Sequence, residues 1–185
     1  MEILEMVLEE QLKQFFIEEG LSKSFVSLVK EVKNKDNDYL GDMPNYIGRG
    51  CARYVFSLNE DYVLKYQKNI TVFCGGNREE YNLYQSLKKE KNSFIKYFAE
   101  PVFISKDGKF LIMEKMEMTM EDVNRGDSED RTEILEENQK IVSILEEKFG
   151  IKDLHSENTM INKYKKIKVV DYAYLINEDS DSWYS

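Results

Sequence analysis

The chain has 185 residues, which fits one ordinary domain or two small lobes sharing a cleft and is long enough to bury a core. Lys and Arg number 26 against 35 Asp and Glu, giving a net charge of −9 with no basic block set apart from acids, so no nucleic-acid partner is expected. No stretch approaches the roughly 18 consecutive apolar residues that span a bilayer, and the start MEILEMVLEEQ is acidic where a signal peptide is basic, so the expectation is a soluble, cytoplasmic protein with no membrane partner.

Apolar residues at Ile3, Leu4, Val7, Leu8, Leu12, Phe15 and Phe16 recur three and four apart among acids, predicting an amphipathic helix over Ile3 to Glu19 that Gly20 closes. Ser22 or Ser24 caps a second helix with Phe25, Leu28, Val29 and Val32 on its apolar side, ahead of the polar stretch Asn34 to Asp38. From Tyr46 the pattern turns to short β-rich runs. Ala52 to Leu58 and Tyr62 to Gln67 read as a hairpin through Asn59, Glu60 and Asp61. After Gly75-Gly76, helical spacing returns over Arg78 to Lys89 through Tyr81, Tyr84 and Leu87. Pro101 to Ile104 and Phe110 to Met113 flank a turn centred on Asp107 and Gly108. A helix over Arg131 to Phe149 follows, with Ile134, Leu135, Ile141, Val142, Ile144, Leu145 and Phe149 as its expected buried set and Gly150 as its end. Two short strands, Thr159 to Asn162 and Ile167 to Val170, precede a polar tail relieved by Tyr174 to Ile176 and Trp183.

Two cysteines, Cys51 and Cys74, are too few for a disulfide framework and lack zinc-site spacing. The single histidine, His155, excludes a metal site with two imidazoles and argues against a serine or cysteine hydrolase triad. Chemistry in this chain therefore runs on carboxylates, lysines and a bound cofactor. Three segments offer those groups. Ile47-Gly-Arg-Gly-Cys-Ala-Arg-Tyr-Val55 brings Gly48 and Gly50 to the start of a hairpin, where missing side chains let backbone N–H groups approach phosphate. Lys65 lies among apolar neighbours in the next strand, and Glu79 or Glu80 in the following helix can pair with it; Tyr81 and Tyr84 mark a face that favours Glu80. Asp153 and Asn158 share a loop between a helix and a short strand, and Asp171 ends the strand after that, so a hairpin brings Asn158 and Asp171 to one end of a small sheet, where one metal ion can take both.

The segment Gly150-Ile-Lys-Asp-Leu-His-Ser-Glu-Asn-Thr-Met-Ile161, followed by Lys168-Val-Val-Asp-Tyr-Ala173, resembles the HRDLxxxN catalytic loop and metal aspartate of protein kinases. It is closer still to the DLHxxN form of aminoglycoside-phosphotransferase-like and short phage or bacterial kinase-like proteins. The resemblance covers Tyr46 to Leu175 and implies a bilobal α+β fold, with an antiparallel-sheet N-lobe and hinge over 46–116 and a truncated, mostly helical C-lobe over 117–185; the N-terminal helical extension over 1–45 lies outside it. It implies ATP and Mg2+ as cofactors. Gly48, Gly50 and Val55 would cover the nucleotide, Lys65 would contact the α- and β-phosphates while paired with Glu80, and Asp153 would position or deprotonate the acceptor hydroxyl. Asn158 and Asp171 would hold magnesium. Leu111-Ile-Met-Glu-Lys-Met116 resembles the hinge, with the Glu114 and Met116 backbone on adenine and Met113 bordering the pocket.

Three positions depart from the kinase pattern: Arg53 stands for a third glycine, Ile151-Lys152 for His-Arg, and Tyr172-Ala173 for Phe-Gly. None removes a charge that phosphoryl transfer requires. The stretch after Asp171 is too short for the usual peptide platform, so the expected acceptor is a protein held by another surface, the chain itself or, as Leu154-His155 suggests, a small molecule. The competing reading is a pseudokinase-like nucleotide-binding protein that regulates or inhibits a partner, in a host cytoplasm if the source is viral. A purely metal-binding protein explains the carboxylates alone. His155 is expected to pack its loop, and a homodimer through the first helix is left open.

Overall fold

The computed structural model describes residues 28, 30, 32, 37–43, 45–50, 53–67, 76–127, 129–151 and 154–172. The expected helix over Ile3 to Glu19, both cysteines, Asp153 and the tail from Ala173 lie outside them. The architecture is α+β, with antiparallel sheets and a few helices in two compact units, Met1–Tyr81 with Glu100–Lys115 and Asn82–Ala99 with Met116–Ser185.

The first unit is built on β1 (Tyr46–Arg49), β2 (Arg53–Ser57), β3 (Tyr62–Gln67), β4 (Pro101–Ile104) and β5 (Phe110–Glu114), a five-stranded sheet in the order β1-β2-β3-β5-β4. Every neighbouring pair is antiparallel. Register sorts the side chains onto two faces, because alternate residues of a strand point opposite ways. Tyr54, Phe56, Leu64, Tyr66, Phe110 and Ile112 share one face, and their core includes Leu28, Val32, Leu40 and Met43. Residues 28, 30 and 32 are helical, so Leu28 and Val32 form an i, i+4 pair on the predicted apolar side of the second helix. Tyr66 stacks on Phe110 with centroids 5.2 Å apart, and Tyr46 meets Phe56 edge-on at 5.9 Å.

The opposite face carries Val63, Leu111 and Met113, also buried, together with Arg53 and Lys65. Burial on both faces explains why Phe110-Leu111-Ile112-Met113 reads as an unbroken apolar run rather than an alternating one. Turn chemistry fixes the register. Asn59 Oδ1 accepts the N–H groups of Asp61 and Tyr62, each at 2.8 Å, closing β2 on β3. Asp107 Oδ1 accepts from Ser105 Oγ at 2.6 Å and from Lys109 N at 3.1 Å, closing β4 on β5.

Helix α1 (Asn77–Lys89) has Glu79 and Glu80 in its first turn and Lys88 and Lys89 in its last, matching the helix dipole at both ends. Its entry is tied down in three places. Glu79 Oε2 accepts the Gly76 N–H at 2.9 Å, Gln67 Oε1 accepts the Asn77 N–H at 3.0 Å, and Asn77 Nδ2 reaches the carbonyls of Lys65, Gly108 and Lys109 at 3.3, 3.1 and 2.9 Å.

In the second unit, β6 (Met118–Thr119), β7 (Thr159–Ile161) and β8 (Ile167–Val169) form an antiparallel sheet in that order. Helix α2 (Met120–Arg125) starts on a capping box between Thr119 and Asp122. Helix α3 (Arg131–Phe149) ends at Gly150, whose φ of 62° and ψ of 20° is the left-handed C-cap that glycine adopts without a Cβ clash. Only Ile141 and Leu145 of α3 are fully buried; Ile134, Leu135, Val142, Ile144 and Phe149 are half-buried, so the expected buried set narrows to one i, i+4 stripe. An aromatic group links the ends of this unit: Phe98 stands edge-on to Tyr172 at 4.9 Å and to Phe149 at 5.8 Å, and the buried Tyr172 donates its hydroxyl to Ala99 O at 2.9 Å.

The Asn77 amide joins α1, β3 and the β4–β5 turn. Asn77→Ala leaves three carbonyls without this donor but also removes a buried Oδ1 that has no partner among the described residues. The two effects oppose, and the expected net loss is about 1–2 kcal/mol in urea unfolding; an unchanged midpoint would mean that water already serves those carbonyls.

Candidate functional site

Lys65 sits in a strand where four consecutive residues, Val63 to Tyr66, are buried. A charge there needs a counter-charge, because desolvating an ammonium costs several kcal/mol. Glu80 supplies it from the first turn of α1: Lys65 Nζ lies 3.0 Å from both Oε1 and Oε2. Glu79 faces Gly76 instead, so the register of α1 decides between the two acids that the sequence offered.

A third charge, one that the sequence reading did not place in the site, joins this pair. Arg53 Nη1 donates to Glu80 Oε2 at 2.6 Å, and Arg53, Lys65 and Glu80 are 4%, 5% and 0% exposed. The sequence signal was present but mute, since an arginine at the start of a strand reads as solvated. The Lys65 amine is pushed down to about 8; burial is the largest cause, Glu80 works against it, and the like charge of Arg53 adds to it.

The glycine hairpin adjoins these residues. Gly48 is the cross-strand partner of Val55, and Val55 is that of Lys65. Gly50 donates its N–H to Arg53 O at 2.9 Å, closing β1 on β2. Gly48 has no positive φ, and a Cβ placed on it meets nothing within 4 Å. Among the described residues neither backbone conformation nor packing therefore requires glycine at position 48, which leaves open space beside its backbone.

Among the remaining expected residues, Met113 is buried in β5 opposite Val63. The N–H groups of Glu114 and Lys115 are taken by Glu100 O at 2.9 Å and Asp61 O at 2.7 Å. Met116 is buried and belongs to the second unit.

In the second unit the β7–β8 hairpin pairs Thr159 with Val169, and the Val170 N–H donates to Asn158 O at 2.9 Å. Asn158 and Asp171 thus flank the same end of that sheet. Asp171 has a φ of 56°, in the left-handed region that an aspartate tolerates better than most residues, and the next residue is the anchored Tyr172. His155 is exposed rather than packed, and it shapes the loop by hydrogen bonds: its carbonyl accepts the N–H groups of Asn158 and Thr159 at 2.9 and 3.2 Å. Its Nδ1 faces the Glu157 N–H at 3.2 Å and its Nε2 faces Asn158 Nδ2 at 3.0 Å. A neutral ring accepts at only one nitrogen, so the two contacts compete for one tautomer.

No group of three or more His, Cys, Asp or Glu suited to a metal occurs among the described residues. Magnesium does not need one, since it keeps several waters and takes one or two protein oxygens plus substrate phosphates, which fits Asn158 and Asp171. No helix of the described residues is long and apolar enough to cross a membrane.

No family model and no curated protein matches the chain. Solved structures of the bifunctional kinase-methyltransferase WbdD align with it in part. A medium-resolution structure is 18% identical with a TM-score of 0.45, covering 70% of this chain and 31% of that one. A 2.2 Å structure gives 18%, 0.45, 73% and 33%, and monomeric WbdD gives 19%, 0.44, 69% and 33%. This chain therefore spans about a third of the WbdD chains, and no family follows from a likeness of that size.

The shared carboxylate makes the cluster asymmetric. Lys65→Met removes one desolvated charge and leaves Glu80 with Arg53, so its stability equals or exceeds that of the wild type by up to about 3 kcal/mol. Glu80→Gln takes the carboxylate from two buried cations and costs about 3–5 kcal/mol. Because folded Lys65 releases its proton near 8 and the unfolded side chain near 10.5, the unfolded chain binds more protons between those values, and wild-type stability gains from this group as pH rises through them. Chemical denaturation against pH reads both effects; equal losses in the two variants, or the same slope in Lys65→Met as in the wild type, would show a solvated cluster instead.

Proposed function

We propose that this chain is an ATP- and magnesium-dependent phosphotransferase of protein-kinase-like type, acting on Ser/Thr hydroxyls of a protein or on itself. One observation carries the reading: a lysine buried in a strand beside a glycine hairpin and held by a glutamate from the adjoining helix. A buried ion pair is poor value for stability alone, and a lysine held by a carboxylate is suited to phosphate oxygens. The open space at Gly48 supports the same reading.

Bound ATP supplies the phosphoryl group, and magnesium adds positive charge beside it. For this chain's residues the roles are as follows. Lys65 binds α- and β-phosphate oxygens and Glu80 keeps it in place. The Gly48 and Gly50 backbone covers the phosphates, while Val55 and Met113 border the base and the Glu114 and Met116 backbone bonds it. Asn158 and Asp171 offer side-chain oxygens to the metal. Asp153 orients the acceptor hydroxyl and takes its proton. Most of the rate then comes from positioning and charge, as phosphoryl transfer requires little covalent chemistry from the protein.

Thermal unfolding with ATP, with and without magnesium, is the first test. At ATP near 100 times its Kd the melting temperature should rise by about 5–10 °C, only with magnesium and not in Asp171→Ala. Labelled γ-phosphate should then pass to the chain or to a protein acceptor, with about 100-fold or greater loss in Asp153→Ala. No thermal shift at millimolar ATP would refute nucleotide binding. A shift without transfer or ATP hydrolysis above the Asp153→Ala control would leave a regulatory nucleotide-binding module and refute catalysis.

A further inference from the structure

Arg53 opens β2 directly after the glycine hairpin, and its carbonyl takes the Gly50 N–H. Strand alternation puts its side chain on the face of Val55, the residue opposite Lys65. The guanidinium therefore reaches Glu80 from β2, while Lys65 reaches it from β3. A one-to-one lysine–glutamate pair would give the ammonium both carboxylate oxygens undivided. Here Oε2 also takes Arg53 at 2.6 Å, the shorter of its two contacts, and a second positive charge stands close to the first. Arginine cannot shed its charge to relieve this crowding, whereas lysine can.

We propose that Arg53 is a positioning residue of this site: by sharing Glu80 it leaves the Lys65 ammonium partly released from its carboxylate and open to an oxygen of a nucleoside triphosphate. The inference rests on the reading of Lys65 as the phosphate-contacting cation. The weakened hold of Lys65 on its proton agrees with it in direction, since burial and Arg53 both lower it and only Glu80 opposes. Among the described residues the charged groups that act on Lys65 are Glu80 from α1 and Arg53 from β2, and β5 presents Leu111 opposite it. A polyphosphate brings negative charge to two cations that share the Glu80 carboxylate. Lys65 can then turn to the ligand without stranding Glu80, which keeps Arg53.

The test follows the Lys65 13Cε resonance against pH in the full chain, assigned by its loss in Lys65→Met. Wild-type Lys65 should titrate near 8. Arg53→Gln removes the like charge and frees Glu80 for Lys65 alone; both changes act in the same sense, and the midpoint should rise by about half a unit or more. Arg53→Lys keeps the charge and should stay near the wild type. An unmoved midpoint in Arg53→Gln overturns the proposal. So does failure of both Arg53→Gln and Arg53→Met to fold while Arg53→Lys folds, which would make Arg53 a strut alone. In parallel, magnesium-ATP affinity measured from about pH 7 to about 9.5 should fall through the Lys65 midpoint, and in Arg53→Gln it should be about 3–10-fold weaker at the low end with its fall displaced upward. Absence of any ATP binding by the wild type would sink the phosphotransferase reading, whereas the titration alone decides whether Arg53 sets the state of Lys65.

Discussion

The first unit is organised around a buried lysine. Lys65 lies in a strand buried on both faces, and an ammonium in such a place is tolerable only with a carboxylate in contact. That carboxylate is on another element, so the position of α1 becomes a requirement rather than a convenience. Gly76, Asn77 and Gln67 fix where the helix starts, and the register that follows points Glu80, not Glu79, at the amine. The Asn77 amide reaches the carbonyl of Lys65 itself, so the backbone bearing the charge and the helix bearing its partner are tied by one side chain. Moving any of these by one residue would turn the carboxylate about 100° round the helix and leave the charge uncompensated.

Much of this was legible in the sequence wherever local chemistry and burial agree. The β3 run Tyr62 to Gln67 and the helix Arg131 to Phe149 have the expected limits, because Asn59 to Asp61 and Gly150 are strong local signals. The β7–β8 hairpin, which puts Asn158 and Asp171 at one end of a small sheet, followed from two short apolar runs. Strand β1 was not seen as a strand: Gly48 interrupts it, Ile47 and Arg49 face solvent, and so it lacks an apolar face. Strand β6 and helix α2 have two and six residues, too few for a period to show. The buried set of α3 was read too broadly because periodicity reports which side is apolar, not how deep that side lies.

Arg53 escaped for a different reason. Its neighbours in the chain are a glycine hairpin and an aromatic, which say nothing of a carboxylate 27 residues away. An arginine in that context is usually solvated, and only the pairing of β2 with β3 and the approach of α1 bring it inside. Charge clusters assembled from three elements are the part of a site that spacing along the chain conveys least well, since each member looks ordinary alone.

The second unit holds its polar residue by other means. Asp171 takes a left-handed backbone, which costs a non-glycine residue about 1–2 kcal/mol, and less for aspartate. The following residue is anchored: Tyr172 is fully buried, edge-on to Phe98, with its hydroxyl on Ala99 O. Burying an aromatic of that size contributes about 2–3 kcal/mol, more than that φ costs. The Tyr172 hydroxyl adds a bond to Ala99 O that a phenylalanine there could not make. Lys65 is thus held by charge, which depends on protonation, and Tyr172 by packing, which does not.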